Sequence, residues 1–343
     1  MSSTLTIGGK TVQDITIGAK QVQSIYDNTN QVLLWERVEP NYFYFEDRSG
    51  VDNSISIAKT GDNEEWLALE YSTDKNTWST WDFSQALTLP ANGKVYLRGD
   101  NVKFSVSSGN YHNFGSTGNV YAGGSVISLY NKQVPNTIDS NATMFGWMFE
   151  GMTNLVGVDT NLFAGINYGS SGNWRDTTNM FYKTFSGCSS LITPPDLSGI
   201  CYAKGSTFRE TFSNCDLLES VAPMNVTEID TSSANQFRAM YYHCFAITDA
   251  SPLRIGFATT TQNTFYQMFA DDRNLSTAPD LTSITTLAHQ FMRLAFYNCL
   301  PLDVVKIGIS EWGDFEDSTA SDYNATYQWL SGVNSTGVFC KNS

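Results

Sequence analysis

The sequence predicts a mixed α and β fold: β-rich N-terminal parts followed by a solenoid whose repeats each supply one short helix and one short strand. Two repeats and one run of alternating segments predict it. A frame of aromatic, three residues, aromatic, two residues, Cys, two residues, Leu starts at residues 145, 181, 208, 237, 265 and 292. A period of this size reads as a stacked architecture before anything else. Ahead of it, short apolar segments alternate with turn residues between Tyr42 and Leu97, as strands do. Ahead of those, TIGGKTVQDI at 6–15 is followed by TIGAKQVQSI at 16–25, a second internal repeat.

The decapeptides come first in the chain. Alternation such as Lys10 and Val12 suggests short strands, and Gly8, Gly9 and Gly18 supply turns. A degenerate third unit, YDNTNQVLLW, ends at Trp35. Segments this short bury too little surface to fold alone. They call for copies of themselves, a socket in a larger assembly, or a meander packed on the next domain. The opening Met-Ser-Ser-Thr-Leu-Thr has neither a basic start nor an apolar core, so no secretory signal is expected.

After the linker at 36–41, strands are expected at Tyr42–Phe45, Ile55–Ile57, Leu67–Tyr71, Ala86–Leu89 and Lys94–Leu97. Their spacing suits a sandwich. Trp78 and Trp81 are read as packing groups rather than a ligand platform. This part would also cover the first repeat, since a stacked array needs a cap.

In the repeats, positions i, i+4 and i+7 lie on one face of a helix. The expected core is therefore Phe181, Phe185, Cys188 and Leu191, then Phe208, Phe212, Cys215 and Leu218, then Phe237 with Cys244, Phe265 with Phe269, and Phe296 with Cys299. The leucine should open a strand, and Pro195, Pro223, Pro252 and Pro279 should end it, because proline cannot donate to a ladder. Four cysteines at one frame position read as a buried column of small apolar groups. Met152 and Asp272 stand in the cysteine's place in two copies. No CxxC occurs, so the usual zinc and redox spacings are missing. Cys201 and Cys340 fall outside the frame.

This frame resembles the BspA-like leucine-rich repeats, which read MF..CSSL followed by a Pro-Asp-Leu turn. Phe185-Ser-Gly-Cys188-Ser-Ser-Leu191 with Pro195-Asp196-Leu197, and Leu275 with Pro279-Asp280-Leu281, carry the resemblance. It covers about 141–343, including a degenerate copy around Tyr327 to Val333. The family occurs on bacterial surface proteins and bacteriophage virion proteins, so the resemblance implies an adhesive ladder without chemistry of its own. The N-terminal module looks like those that open phage fibre and tail-appendage proteins. Segments similar to the LEYSTD and KVYLRG stretches here precede such repeats in related phage proteins.

Three parts are therefore expected: a virion anchor at 1–37, a sandwich-like spacer and cap at 38–137, and a leucine-rich-repeat domain at 138–343. The expected protein is a virion appendage, made in the host cytoplasm. It would join other virion proteins through 1–37, form a homotrimer and bind a bacterial surface glycan or protein. A head fibre or decoration protein is the alternative, and a bacterial surface adhesin is third. No cofactor, metal, nucleic acid or membrane insertion is expected. Charged residues are 16% of the chain, against about 25% in ordinary domains. A net charge of −14 removes the electrostatic footing for nucleic acid. No apolar run reaches spanning length.

An enzyme is disfavoured. His112, His243 and His289 show no catalytic spacing, and no HExxH, GxSxG or phosphate-binding glycine loop occurs. The densest carboxylates, Glu311, Asp314, Glu316 and Asp317, could hold a cation or simply be solvated. Receptor contact is expected at two insertions that place Tyr168 and Trp174, and Trp312 and Phe315, beside glycine and polar residues. Those rings would either meet a sugar or staple their loops to the ladder.

Overall fold

The computed structural model describes residues 41–61, 67–101, 104–107, 109–130, 145–166, 178–286, 288 and 290–308, with short strands inside 6–36 and 338–341. The chain divides into two compact units, Met1–Asn41 and Tyr42–Ser343.

In the first unit each decapeptide makes a small antiparallel pair. β1 (Thr6–Ile7) pairs with β2 (Lys10–Thr11), and β3 (Thr16–Ile17) with β4 (Lys20–Gln21). The degenerate third unit pairs β5 (Ser24–Asp27) with β6 (Val32–Glu36).

The second unit opens with two sheets. One has the order β10 (Ser79–Trp81), β9 (Leu69–Ser72), β12 (Lys94–Arg98), β7 (Phe43–Asp47), β15 (Val120–Gly123), β16 (Leu155–Val158). The other has the order β11 (Leu87–Leu89), β8 (Asn53–Thr60), β14 (Asn110–Ser116), β13 (Ser105–Ser107). All five strands expected between 42 and 97 have counterparts here. Alternation places Phe43, Phe45, Val95 and Leu97 inward and Tyr44, Glu46, Tyr96 and Arg98 outward. The inner faces meet through Phe114, whose ring lies 5.0 Å from Phe45 and 5.7 Å from Phe43. Trp81 is buried and its indole N–H donates to the Gln85 carbonyl.

The repeats correct the expected fold class. Among the described residues there is no α-helix; the one helical segment is a 3-10 turn at Val126–Leu129. No helix-plus-strand solenoid forms, and the strands do not join into a continuous sheet along the repeats. They pair two at a time: β17 (Tyr202–Ala203) with β19 (Glu228–Ile229), β18 (Met224–Val226) with β20 (Leu253–Ile255), and β21 (Val304–Ile307) with β22 (Val338–Lys341), all parallel. The prolines are also corrected: Pro223 and Pro252 precede β18 and β20 rather than ending a strand. There they act as acceptors only, Pro223 from the Leu197 N–H and Pro252 from the Met224 N–H.

What replaces the helix is a coil of consecutive turns. Count the first frame residue of each copy, an aromatic except for Met292, as position zero. Position +2 is left-handed in every copy: Trp147, Lys183, Glu210, Ala239, Gln267 and Leu294 have φ of 51–63°. Position +6 is left-handed as well, at Gly151, Gly187, Asn214, His243, Asp271 and Asn298. A left-handed residue every fourth position breaks the i to i−4 ladder. Odd positions instead close tight turns, as when the Thr184 N–H donates to Phe181 and the Ser186 N–H to Lys183. Even positions donate to the next coil: Phe181 to Thr207, Lys183 to Arg209, Phe185 to Thr211 and Gly187 to Ser213. A non-glycine residue in this conformation costs about 1–2 kcal/mol. The inter-coil bonds made by those same residues offset that cost, since buried backbone donors must find partners.

The four-residue period keeps zero and +4 on one face, and there the rings stack. Phe149, Phe185, Phe212, Tyr241, Phe269 and Phe296 form one column with centroids 5.1–5.6 Å apart. Phe145, Phe181, Phe208, Phe237 and Phe265 form a second, at 5.3–5.6 Å. The first column runs on into the sandwich, where Phe149 meets Phe114 and Phe43. β16, from the first coil, pairs with β15 of the sandwich. Sandwich and coils therefore share one apolar core.

Candidate binding surface

The cysteine column is closed. Cys188, Cys215, Cys244 and Cys299 are fully buried, and burial pushes each thiol well above its ordinary range. Each Sγ–H donates to the carbonyl of the second aromatic one coil back, Phe149, Phe185, Phe212 and Phe269 respectively, at 3.0–3.1 Å. The thiols are thus part of the ladder, a role beyond the small apolar filler expected for them. Leu191 and Leu218 close the same core beneath them. Cys201 is half-buried, and its carbonyl accepts the Thr227 and Glu228 N–H groups.

Asp272 takes the cysteine's position with the whole side chain buried. Burial pushes its carboxyl well above the usual range, against the hydrogen bond from Cys244. Its Oδ1 accepts the Cys244 N–H at 2.6 Å, while Oδ2 is buried without a hydrogen-bond partner among the described residues. In other copies the cysteine N–H closes the turn onto the second aromatic, as Cys215 does onto Phe212. Cys244 instead turns to Asp272. Asp272 therefore keeps its coil closed rather than opening it to solvent.

The outer face is different in kind. Position +1 carries Tyr182, Arg209, Arg238, Tyr266 and Arg293 in five successive coils, each partly exposed. The Arg209 guanidinium lies 5.2 Å from the Tyr182 ring. Arg238 and Arg293 lie 4.8 and 5.5 Å from the Tyr266 ring. Lys183 pairs with Glu150 and Glu210, and Arg209 pairs with Glu210. In the first coil the position is Gly146, where a Cβ would come within 3.1 Å of the Ser105 hydroxyl. The sandwich covers that end, so the column starts at Tyr182. Sequence reasoning missed this column because the apolar frame directs attention to the buried positions. The signal was the residue immediately after each first frame residue.

Tyr168, Trp174, Trp312 and Phe315 lie outside the described residues, as do His289 and the acidic run 311–317. His112 is buried in the sandwich, while His243 sits on the coils with its Nε2 3.2 Å from Asp271. A cavity of about 140 Å³ is lined by Thr160, Phe163, Ile166, Asp196, Leu197 and Ile200. Its one carboxylate, Asp196, accepts the Ser198 N–H. Among the described residues no three His, Cys, Asp or Glu side chains converge to hold a metal, and no helix is long and apolar enough to cross a membrane.

No family model matches the chain, and no curated protein matches it. The crystal structure of a leucine-rich repeat protein from Bacteroides ovatus ATCC 8483 is similar over 60% of this chain and 83% of that chain, with 13% identity and a TM-score of 0.16. A likeness of that size marks a repeat protein as a weak neighbour and carries no argument beyond that.

Proposed function

We propose that this chain is a structural, surface-binding component of a bacteriophage particle. In this reading residues 1–37 join other virion proteins and the coil stack is displayed toward the bacterial surface. The observation that carries it is the closed stack. Thiols and the buried acid are shut inside, so what the stack offers a partner is its outer face. The motif Phe185 to Leu191 with Pro195-Asp196-Leu197, and the short paired strands of the decapeptides, support the assignment to a particle appendage.

Purified particles labelled with an antibody raised against Tyr42–Ser343, together with adsorption assays in which the purified chain competes for host cells, test the reading. Labelled appendages and slowed adsorption are expected. Label on the head with unchanged adsorption assigns a decoration role instead. Absence of label from particles overturns the proposal.

A further inference from the structure

The position +1 column combines features that the coil stack itself does not require. Arg209 and Arg238 occupy adjacent coils at the same frame position, so two like charges are held side by side. Glu210 is the carboxylate that acts on both, and it is already bonded to Arg209 and Lys183. Arg238 makes no ion pair among the described residues. Burial lowers its proton affinity, and Arg209 lowers it further. This occurs in a chain with 34 acidic and 20 basic residues, where a carboxylate partner would be the easy arrangement. Tyr182 lies beside Arg209, and Tyr266 lies between Arg238 and Arg293. A guanidinium whose charge rests beside a ring and has no carboxylate partner, as in Arg238, can offer its N–H groups to an anion.

The spacing is that of a line. Arg209 and Arg238 are one coil apart, and Arg238 and Arg293 are two. The ring column of these coils repeats every 5.4–5.6 Å. A compact anion could use one step of this line, whereas a linear polymer with regularly spaced acidic groups could use all of it. The net charge of −14 opposes any polyanion at long range, so it does not separate an acidic glycan from a nucleic acid, and poly(dT) is kept as a competing outcome of the test.

We propose that Tyr182, Arg209, Arg238, Tyr266 and Arg293 form a binding strip for a linear acidic glycan, its anionic groups held by the arginine edges. The proposal rests on the surface-attachment reading above and gives that reading a location and a ligand chemistry. The anionic group can be a carboxylate or a sulfate, and both are tested.

The full chain is titrated calorimetrically with polygalacturonate, dextran sulfate, neutral dextran and single-stranded poly(dT). One or both acidic glycans should bind, more weakly as salt rises, and neutral dextran should not. Which acidic glycan binds identifies the anionic group. R238Q should lower the affinity about tenfold or more, since a charge-assisted hydrogen bond is at stake, and R238K should recover only part of it. R254Q, at the exposed position of β20 and outside the +1 column, should bind as the parent does. Circular dichroism checks that each variant is folded. The proposal is overturned if neutral dextran binds as well as the acidic glycans, if R238Q binds like the parent, or if poly(dT) binds as tightly as either glycan. Host-cell binding separates the two readings. A parent chain that binds acidic glycan but not host cells sinks the attachment reading alone. Cell binding unchanged in R238Q sinks the strip as the attachment surface.

Discussion

A thiol that bonds to a carbonyl one coil away behaves differently from a thiol that merely fills space. Cys215 donates to Phe185 at 3.1 Å inside a fully buried site. A serine hydroxyl can make the same bond, so Cys215→Ser should cost about 1–2 kcal/mol, less than a buried hydroxyl left without a partner. Chemical denaturation measures this. Native-state labelling of the four column thiols should be slow, because burial holds them protonated and out of reach. Asp272 gives the pH-dependent case. Its folded-state proton affinity is raised above that of the unfolded chain. Between the unfolded value near 4 and the raised folded value, the native state holds one more proton than the unfolded state. Its contribution is therefore complete in acid and declines as pH rises above that unfolded value. Asp272→Asn keeps the acceptor and supplies a permanent donor. Melting curves from pH 4 to 8 should show the variant gaining on the parent as pH rises. A constant offset between the two would mean that Asp272 is not the titrating group.

At the scale of the element, the left-handed positions decide the coil. Asn214 tolerates this conformation, whereas a β-branched residue there does not. Asn214→Val should cost about 1–2 kcal/mol with no loss of core contact. Phe212→Ala should cost about 3–5 kcal/mol, because it removes one ring from the middle of a stacked column. These two substitutions bear on what the sequence made legible. The buried set was readable because i and i+4 share a face in both an α-helix and this coil. The backbone was misread for the same reason: apolar spacing cannot separate a 3.6-residue turn from a four-residue one over so few residues. A discriminating signal was present at +6, where glycine and asparagine recur, and at +2, where no β-branched residue occurs. Prolines were assigned to strand ends from their missing donor, yet the same deficiency suits the residue just before a strand. The strip at +1 escaped notice because its residues do not repeat as one type. Only the stacking of coils brings tyrosine and arginine into one line.

Across the whole molecule, the described core of the second unit is drawn from residues 43 to 307. The chain divides into compact units at Asn41, and removing 1–41 should leave the thermal unfolding of the second unit unchanged, while abolishing incorporation into particles if the anchor reading holds. The sharper question is whether sandwich and coils are one folding unit. Stacked repeats often unfold as a one-dimensional array, losing terminal repeats first. Here the first coil lends β16 to the sandwich sheet, and Phe149 packs its ring against Phe43 and Phe114. Each later coil is tied to its neighbour by backbone bonds at every even position. A disturbance in the sandwich should then be felt along the stack. The column thiols provide a reporter that belongs to the coils alone, and amide exchange in β7 and β12 provides one that belongs to the sandwich. Phe43→Ala should destabilise the sandwich by about 3–5 kcal/mol. In a single cooperative unit it should advance thiol labelling at Cys188 and Cys299 by the same temperature interval as it advances exchange in β7. If Cys299 keeps its parental labelling temperature while β7 opens early, the coils fold as a separate body, and the shared core is a docking contact between two domains.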